Sequence, residues 1–208
     1  MFGGNFQTWK LHSAQDYFMF FAYILAGVLV FWLIAKHMNK QRNHEKAVEK
    51  VSGRLKKICG KPGEVLKNAT LNLPEGKMTF DVVLMDKRGV YLVRTYGWGI
   101  KIYGTPDGAM WRREDAKRKE EFENPLLNLK KGAEEIGKIM EENGVHNLKV
   151  MPMVVFADNY QTPELYLGYG SYSTTYQELK SWYKKQSGVK EVQYDYDKVS
   201  SIIKELAK

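Results

Sequence analysis

The sequence predicts an α/β fold, a mixed β-sheet with helices on at least one face, preceded by one transmembrane helix. Three observations lead there. Tyr17 to Ala35 is an apolar run of nineteen residues without a charge. From Val65 to Tyr103, short segments rich in β-branched and aromatic residues alternate with Gly-, Pro- and Asp-containing turns. A helix-period stretch from Leu126 to Met140 then leads into Leu148 to Ala157, apolar almost throughout. Helix, consecutive strands, helix, buried strand and further helices make an α/β order.

The apolar run comes first. At 1.5 Å per residue it spans about 28 Å, close to the hydrocarbon thickness of a bilayer. A signal peptide would need a basic start and a small-x-small cleavage site, whereas this run is led in by Lys10 and Asp16 and ends Leu33-Ile34-Ala35-Lys36. Basic residues crowd its C-terminal side, with Lys36, Lys40, Arg42, Lys46, Lys50 and Arg54 following against Lys10 before it. The positive-inside rule therefore puts the folded part in the cytoplasm. The expected layout is a non-cytoplasmic N-terminus at 1–16, a single-pass membrane helix at 17–35, a basic amphipathic helix at 36–60, a core at 61–160 and a C-terminal helical extension at 161–208.

Charge distribution limits the partners. The chain of 208 residues carries a net +8, but residues 36–67 hold ten Lys/Arg against three Glu, and 68–208 contribute about +1. A basic segment beside a bilayer is attracted to anionic head groups, so Lys36, Lys40, Arg42 and Lys46 are expected at the membrane surface. Nucleic-acid binding is the less favoured partner, because its affinity depends on neutralised phosphates. The single cysteine, Cys59, excludes an intramolecular disulfide, and four scattered histidines make no zinc framework.

Val48, Val51, Leu55 and Ile58 mark one face of a helix that ends near Gly60. Strands are expected at Val65–Leu73, Met78–Met85, Val90–Tyr96 and Gly99–Tyr103, as an antiparallel run, with Arg112–Glu121 as a charged connection. Asn124-Pro125 is a helix start with Pro at the first helical position. Leu126, Leu129, Ala133, Ile136 and Met140 should face inward, and Gly144 should close the helix. Leu148–Ala157 has the apolarity of a strand covered on both faces. Helices near 175–186 and 196–207 finish the chain. Tyr91, Trp98 and Trp111 are expected as core or rim packing, with base stacking as the alternative; the C-terminal aromatics, Tyr166, Tyr169 and Tyr172 among them, are expected mainly as packing, with a partner surface as the alternative.

The segment FDVVLMDKRGVYLVRTYGWGIKIYGTPDGAMW, followed by FENPLLN at 122–128 and VVF at 154–156, resembles the NERD, or nuclease-related, domain of the restriction-endonuclease-like superfamily. The family pattern is an Asp at a strand start, a Gly turn, an apolar strand ending Glu-x-Lys, a Gly-rich strand ending in Trp, and Phe-x-Asn-Pro-x-x-Gln opening a helix. Here Asp81, Gly89, Trp111, Phe122, Asn124 and Pro125 match, and Asn128 stands where the Gln would be. Glu45 corresponds to the Glu of a Gly-Glu-x-x-Val helix motif, with His44 in place of the Gly. The resemblance implies a site in which an Asp and a Glu hold Mg²⁺ and a Lys two residues on activates water. Arg94 occupies the Glu position and Tyr96 the Lys position.

That departure is chemical. A guanidinium about 4 Å from a divalent ion, at an effective dielectric near 20, is repelled by roughly 8 kcal/mol as an upper bound, and Arg does not deprotonate to relieve it. Asp81 and Arg94 are expected to pair across adjacent strands, and no cofactor is expected. The functional expectation is a membrane-anchored, catalytically inactive module that binds or scaffolds a protein partner. The alternatives are a DNA-binding pseudo-nuclease and a Mg²⁺-dependent nuclease rearranged around Lys101, Glu114 and Asp115.

Overall fold

A computed structural model describes residues 14–41, 43–116, 118–158, 161–186 and 194–208. The chain divides into two compact units, one ending at Lys40 and the other running from Gln41 to Lys208. The first contains all but the last residue of α1 (Ala14–Gln41). Within it, Ala14–Lys36 is long and apolar enough to cross a membrane, with a mean hydropathy of 2.5. Its 23 residues give about 34 Å of helix, longer than the uncharged run alone. Residues 1–13, and with them most of the expected N-terminal segment, lie outside the described residues, as do Arg42 and the side chain of Lys40.

The next helix has its own N-terminal cap. Asn43 has extended backbone angles (φ −74°, ψ 130°) and its side chain accepts the Glu45 N–H, capping α2 (His44–Ile58). Ala47, Val48, Val51 and Leu55 are buried along one face. The strands β1 (Gly63–Leu73), β2 (Gly76–Asp86) and β3 (Gly89–Tyr96) follow as an antiparallel meander.

The expected antiparallel run ends there. β4 (Lys101–Gly104) leaves for a second sheet with β5 (Met110–Glu114) and β6 (Lys119–Glu123). The charged 112–121 segment is therefore largely hairpin, not connection. Its register places Arg112 opposite Glu121, Arg113 opposite Glu120 and Glu114 opposite Lys119, so every facing pair has opposite charge. Such pairs stabilise a ladder that has little apolar surface of its own.

Next comes α3 (Pro125–Glu142), capped by Asn124 and followed by Gly144 at φ +72°. β7 (Val150–Phe156) then runs parallel to β3. The segment expected as a helical extension also supplies two strands, β8 (Glu164–Leu167) parallel to β4 and β9 (Ser173–Thr175) parallel to β7. α4 (Leu179–Gln186) and α5 (Tyr196–Leu206) close the chain. The main sheet has the order β1-β2-β3-β7-β9, and the second β6-β5-β4-β8.

Helices cover both faces of the main sheet. One core joins Leu71, Phe80, Val83, Leu92 and Val154 to Leu126, Ile136 and Met140 of α3 and Ile203 of α5. The other joins Val82, Leu84, Tyr91, Val93 and Val155 to Val51 and Leu55 of α2 and Leu179 of α4. Strand alternation should put Phe80 with Val82, yet Phe80 lies in the first core and Val82 in the second. The alternation slips at Asp81. On β1 the same slip falls at Asn68, which takes a left-handed φ of +48° while pairing passes from Lys67–Val82 to Ala69–Phe80.

Candidate functional site

The slip has a consequence for the neighbouring ladder. Pairing of β2 with β3 begins only at Val82–Val93, so the first half of β2 stays with β1 and parts from β3. A cleft of about 440 Å³ opens at this fork, with Thr79, Phe80, Arg94 and Tyr96 on the sheet, Asn124, Pro125, Asn128 and Leu129 at the start of α3, and His44 and Lys77 on its rim.

Asp81 sits where the strands part and is 3% exposed. Its Oδ2 accepts the Thr95 N–H at 2.6 Å, a ladder bond made by a side chain where the β2 backbone has turned away. Its Oδ1 accepts from Arg94 Nη1 at 3.2 Å and stands 3.3 Å from His44 Nε2. Arg94 also reaches the Thr79 carbonyl at 3.5 Å. The expected cross-strand pairing of Asp81 and Arg94 is thus the observed geometry. His44 and the Thr95 N–H are partners that sequence reasoning missed. For His44 the signal was its place directly before the motif residue Glu45, where the family has Gly. Glu45 itself is exposed in the first turn of α2 and does not line the cleft.

Two residues on from Arg94, Tyr96 shares its face of β3. Its ring stacks on Phe156 with centroids 5.4 Å apart, and Trp98 and Phe122 approach to 4.7 and 5.5 Å. Burial pushes the Tyr96 phenol up to about 12, against the opposing influence of the Arg94 cation. The hydroxyl is therefore neutral throughout the physiological range.

The remaining motif positions are brought together unevenly. Asn124 is the joint between the cleft and the second sheet. Its Oδ1 accepts the Leu126 N–H at 2.9 Å, and its Nδ2 donates to the carbonyls of Gly108 at 2.7 Å and Pro106 at 3.1 Å. Pro125 occupies the first turn, and Asn128 is exposed on the cleft wall. Trp111 is buried and donates from Nε1 to the Thr105 carbonyl, while Phe122 packs against Trp111, Trp98 and Tyr96. Gly89 lies at the opposite end of β3, at φ +139°, where a Cβ would stand 2.1 Å from the Lys149 carbonyl oxygen. Of the expected membrane-surface residues, Lys36 ends the apolar stretch with its ammonium over the Trp32 ring, and Lys46 is half-buried on α2.

Mg²⁺ does not fit these residues. Both Asp81 oxygens face donors, Arg94 stands where the resemblance implies a second carboxylate, and Tyr96, a packed phenol, stands where it implies an ammonium. Of the rearranged alternative, Lys101 and Glu114 face each other across the β4–β5 ladder, and Glu114 and Asp115 line one cleft with Asp158, but these charges are engaged with other side chains and backbone. Lys101 pairs with Glu164 at 3.8 Å, Glu114 with Arg112 at 3.1 Å and Lys119 at 3.3 Å, and Asp115 accepts the Arg118 N–H at 2.7 Å. Among the described residues no group of three or more His, Cys, Asp or Glu side chains could hold a metal ion.

A family model for the NERD, or nuclease-related, domain matches residues 40–157. No curated protein and no solved structure matches the chain.

Proposed function

This chain belongs to the nuclease-related domain family, and from that premise we propose that it is a binding module which no longer hydrolyses phosphodiesters. In this reading α1 holds it at the cell membrane as a single pass, the unit from Gln41 onward faces the cytoplasm, and it engages a protein partner. The observation that carries the loss of hydrolysis is the state of Asp81. The one carboxylate of the expected pair is committed to Thr95, Arg94 and His44. A cation that needs oxygen ligands would have to displace a guanidinium that is itself held at the site.

Two observations support a protein partner. Cations of the second sheet are largely neutralised by facing carboxylates, which leaves little field for a polyphosphate backbone. The same sheet exposes a stacked Tyr103–Tyr166 pair, centroids 4.8 Å apart, with the Arg112 guanidinium 5.1 Å from the Tyr103 ring. Tyr and Arg are the residue types enriched in protein interfaces.

The decisive experiment is plasmid nicking by the purified full chain with Mg²⁺ or Mn²⁺. The expected result is no cleavage above that of Asp81→Ala. Metal-dependent nicking that Asp81→Ala abolishes would overturn the reading. Restoring both motif residues, Arg94→Glu with Tyr96→Lys, is expected to create divalent-ion binding that the unaltered chain lacks. Salt-sensitive DNA binding without cleavage would favour the pseudo-nuclease alternative. Carbonate extraction and protease protection of native membranes test the anchor and its orientation.

A further inference from the structure

A second cleft, of about 520 Å³, lies on the side of the main sheet that α2 and α4 cover. It has a different character from the Asp81 fork. Lys46, Lys50, Arg54 and Lys57 recur at spacings of four, four and three, which aligns them on one side of α2, away from the buried Val48, Val51 and Leu55. Lys50, Arg54 and Lys57 line the cleft, Lys180 of α4 adds a fourth cation, and Glu49 is the one acid in the lining.

Arg54 is held in position at this surface. Arg54 lies over the Tyr176 ring at 4.7 Å and donates from Nη2 to the Gln177 carbonyl at 3.3 Å. A guanidinium stacked on an aromatic ring keeps its outer N–H groups available for an oxyanion. Lys50 stands 5.9 Å from the same ring. Among the described residues, Arg54, Lys57 and Lys180 form no ion pair with a carboxylate. Four cations share one concave surface against a single Glu, a net +3 suited to a dianionic phosphate monoester.

We propose that this α2–α4 cleft binds the phosphate-bearing head group of an anionic membrane lipid. A lipid is favoured over nucleic acid by three observations. The cations belong to the segment that directly follows a helix long and apolar enough to cross a membrane. Residues 68–208 carry only about +1. The cleft has the size for one head group, not the length of a backbone track. Arg54 lies about 15 Å along α2 from its first residue. The proposal rests on the reading of α1 as an anchor, and its test is arranged to fail separately from that reading.

The full chain in neutral detergent micelles is titrated calorimetrically with dioctanoyl phosphatidylinositol 4-phosphate and with dioctanoyl phosphatidylcholine. Inorganic phosphate and a short DNA duplex serve as competitors. Saturable binding of the phosphomonoester lipid alone is expected. Arg54→Gln with Lys57→Gln should weaken it ~25-fold, at roughly fivefold per cation near a charged surface, while Lys130→Gln leaves it unchanged. If the double variant loses its fold, Lys180→Gln, about fivefold weaker, carries the test. Equal binding of the choline lipid, unchanged affinity in the variants, or equimolar displacement by inorganic phosphate would overturn the proposal. So would tighter duplex binding that the same variants abolish, which would assign the cleft to nucleic acid. Failure of carbonate extraction to retain the protein in membranes would instead overturn the anchor and leave this result standing.

Discussion

Removing the Asp81 carboxylate should destabilise the fold more than removing its Arg94 partner, because the two substitutions leave different groups stranded. In Asp81→Ala the Thr95 N–H loses its acceptor. Thr95 is 0% exposed, so no water replaces the bond, and a buried unsatisfied donor costs about 1–3 kcal/mol. Arg94 and His44, with side chains 35% and 54% exposed, recover solvent contacts, and losing those pairings adds roughly 0–1 kcal/mol. The expected total is about 1–4 kcal/mol.

In Arg94→Ala the carboxylate keeps the Thr95 N–H and the His44 imidazole, so the loss is about 1–2 kcal/mol, between an exposed and a fully buried pair. Asp81→Asn should fall between the two, since its amide oxygen can still accept from Thr95 while its amide nitrogen faces two donors. The assay is urea unfolding of the detergent-solubilised chain, followed by the fluorescence of tryptophans that include the buried Trp111. An Arg94→Ala cost equal to or above that of Asp81→Ala would refute the reasoning. It would mean that the carboxylate serves the guanidinium and not the strand fork.

Three further outcomes are expected. Because the folded-state pKa of Tyr96 is raised above its ordinary 10.0 to about 12, the unfolded chain releases that proton first. Stability contributed by Tyr96 is full below pH 10.0 and declines as pH rises toward 12. Tyr96→Phe should flatten the alkaline decline in an unfolding series, and an unchanged slope would remove the buried phenol as its source. Glu64 behaves oppositely. The Lys204 ammonium, with help from the Ser200 hydroxyl, holds its carboxyl below the ordinary 4.5 despite partial burial. Its contribution is present above that value and lost as pH falls through the lowered one. Glu64→Gln should cost under ~1 kcal/mol at neutral pH and soften the acid limb. Gly89→Ala combines a left-handed φ with a Cβ 2.1 Å from the Lys149 oxygen, and should cost more than ~2 kcal/mol in the same urea assay. A neutral result would mean that the β3–β7 approach is looser than described.

What was legible in the sequence was mostly local. The start of α3 could be placed because Asn124 and Pro125 carry capping chemistry within two residues, and its inward face because five apolar residues keep one period. β7 was legible because it is covered on both sides and therefore apolar on both parities. The β5–β6 hairpin was not, since Arg and Glu on a strand look like a solvated loop until the register is known. The signal was nevertheless there: Arg-Arg-Glu at 112–114 is answered in reverse by Lys-Glu-Glu at 119–121. β8 lies some sixty residues from its partner β4, beyond any periodicity argument. In the site, Asp81 with Arg94 could be foreseen from strand neighbourhood. The fork that creates the cleft could not, because it depends on Asn68 and Asp81 slipping together on two strands.

The Tyr96 position shows why a departure from the nuclease pattern at one residue is not confined to that residue. Its ring contacts Phe156 of β7, Phe122 of β6 and Trp98 in the β3–β4 connection, and Phe122 in turn packs on Trp111 of β5. The side chain at the motif's lysine position therefore helps to join the two sheets. An ammonium there would exchange ring contacts for a charge that must reach the cleft mouth to be hydrated. At Arg94 the chemistry differs. A carboxylate in its place would lie beside Asp81 with no cation between them, a like-charge pair that a divalent ion relieves. Introduced singly, Glu at 94 lacks only that counter-ion, whereas Lys at 96 loses core. The aromatic change is thus the harder one to reverse, and it fixes the second sheet against the first whether or not the cleft is occupied.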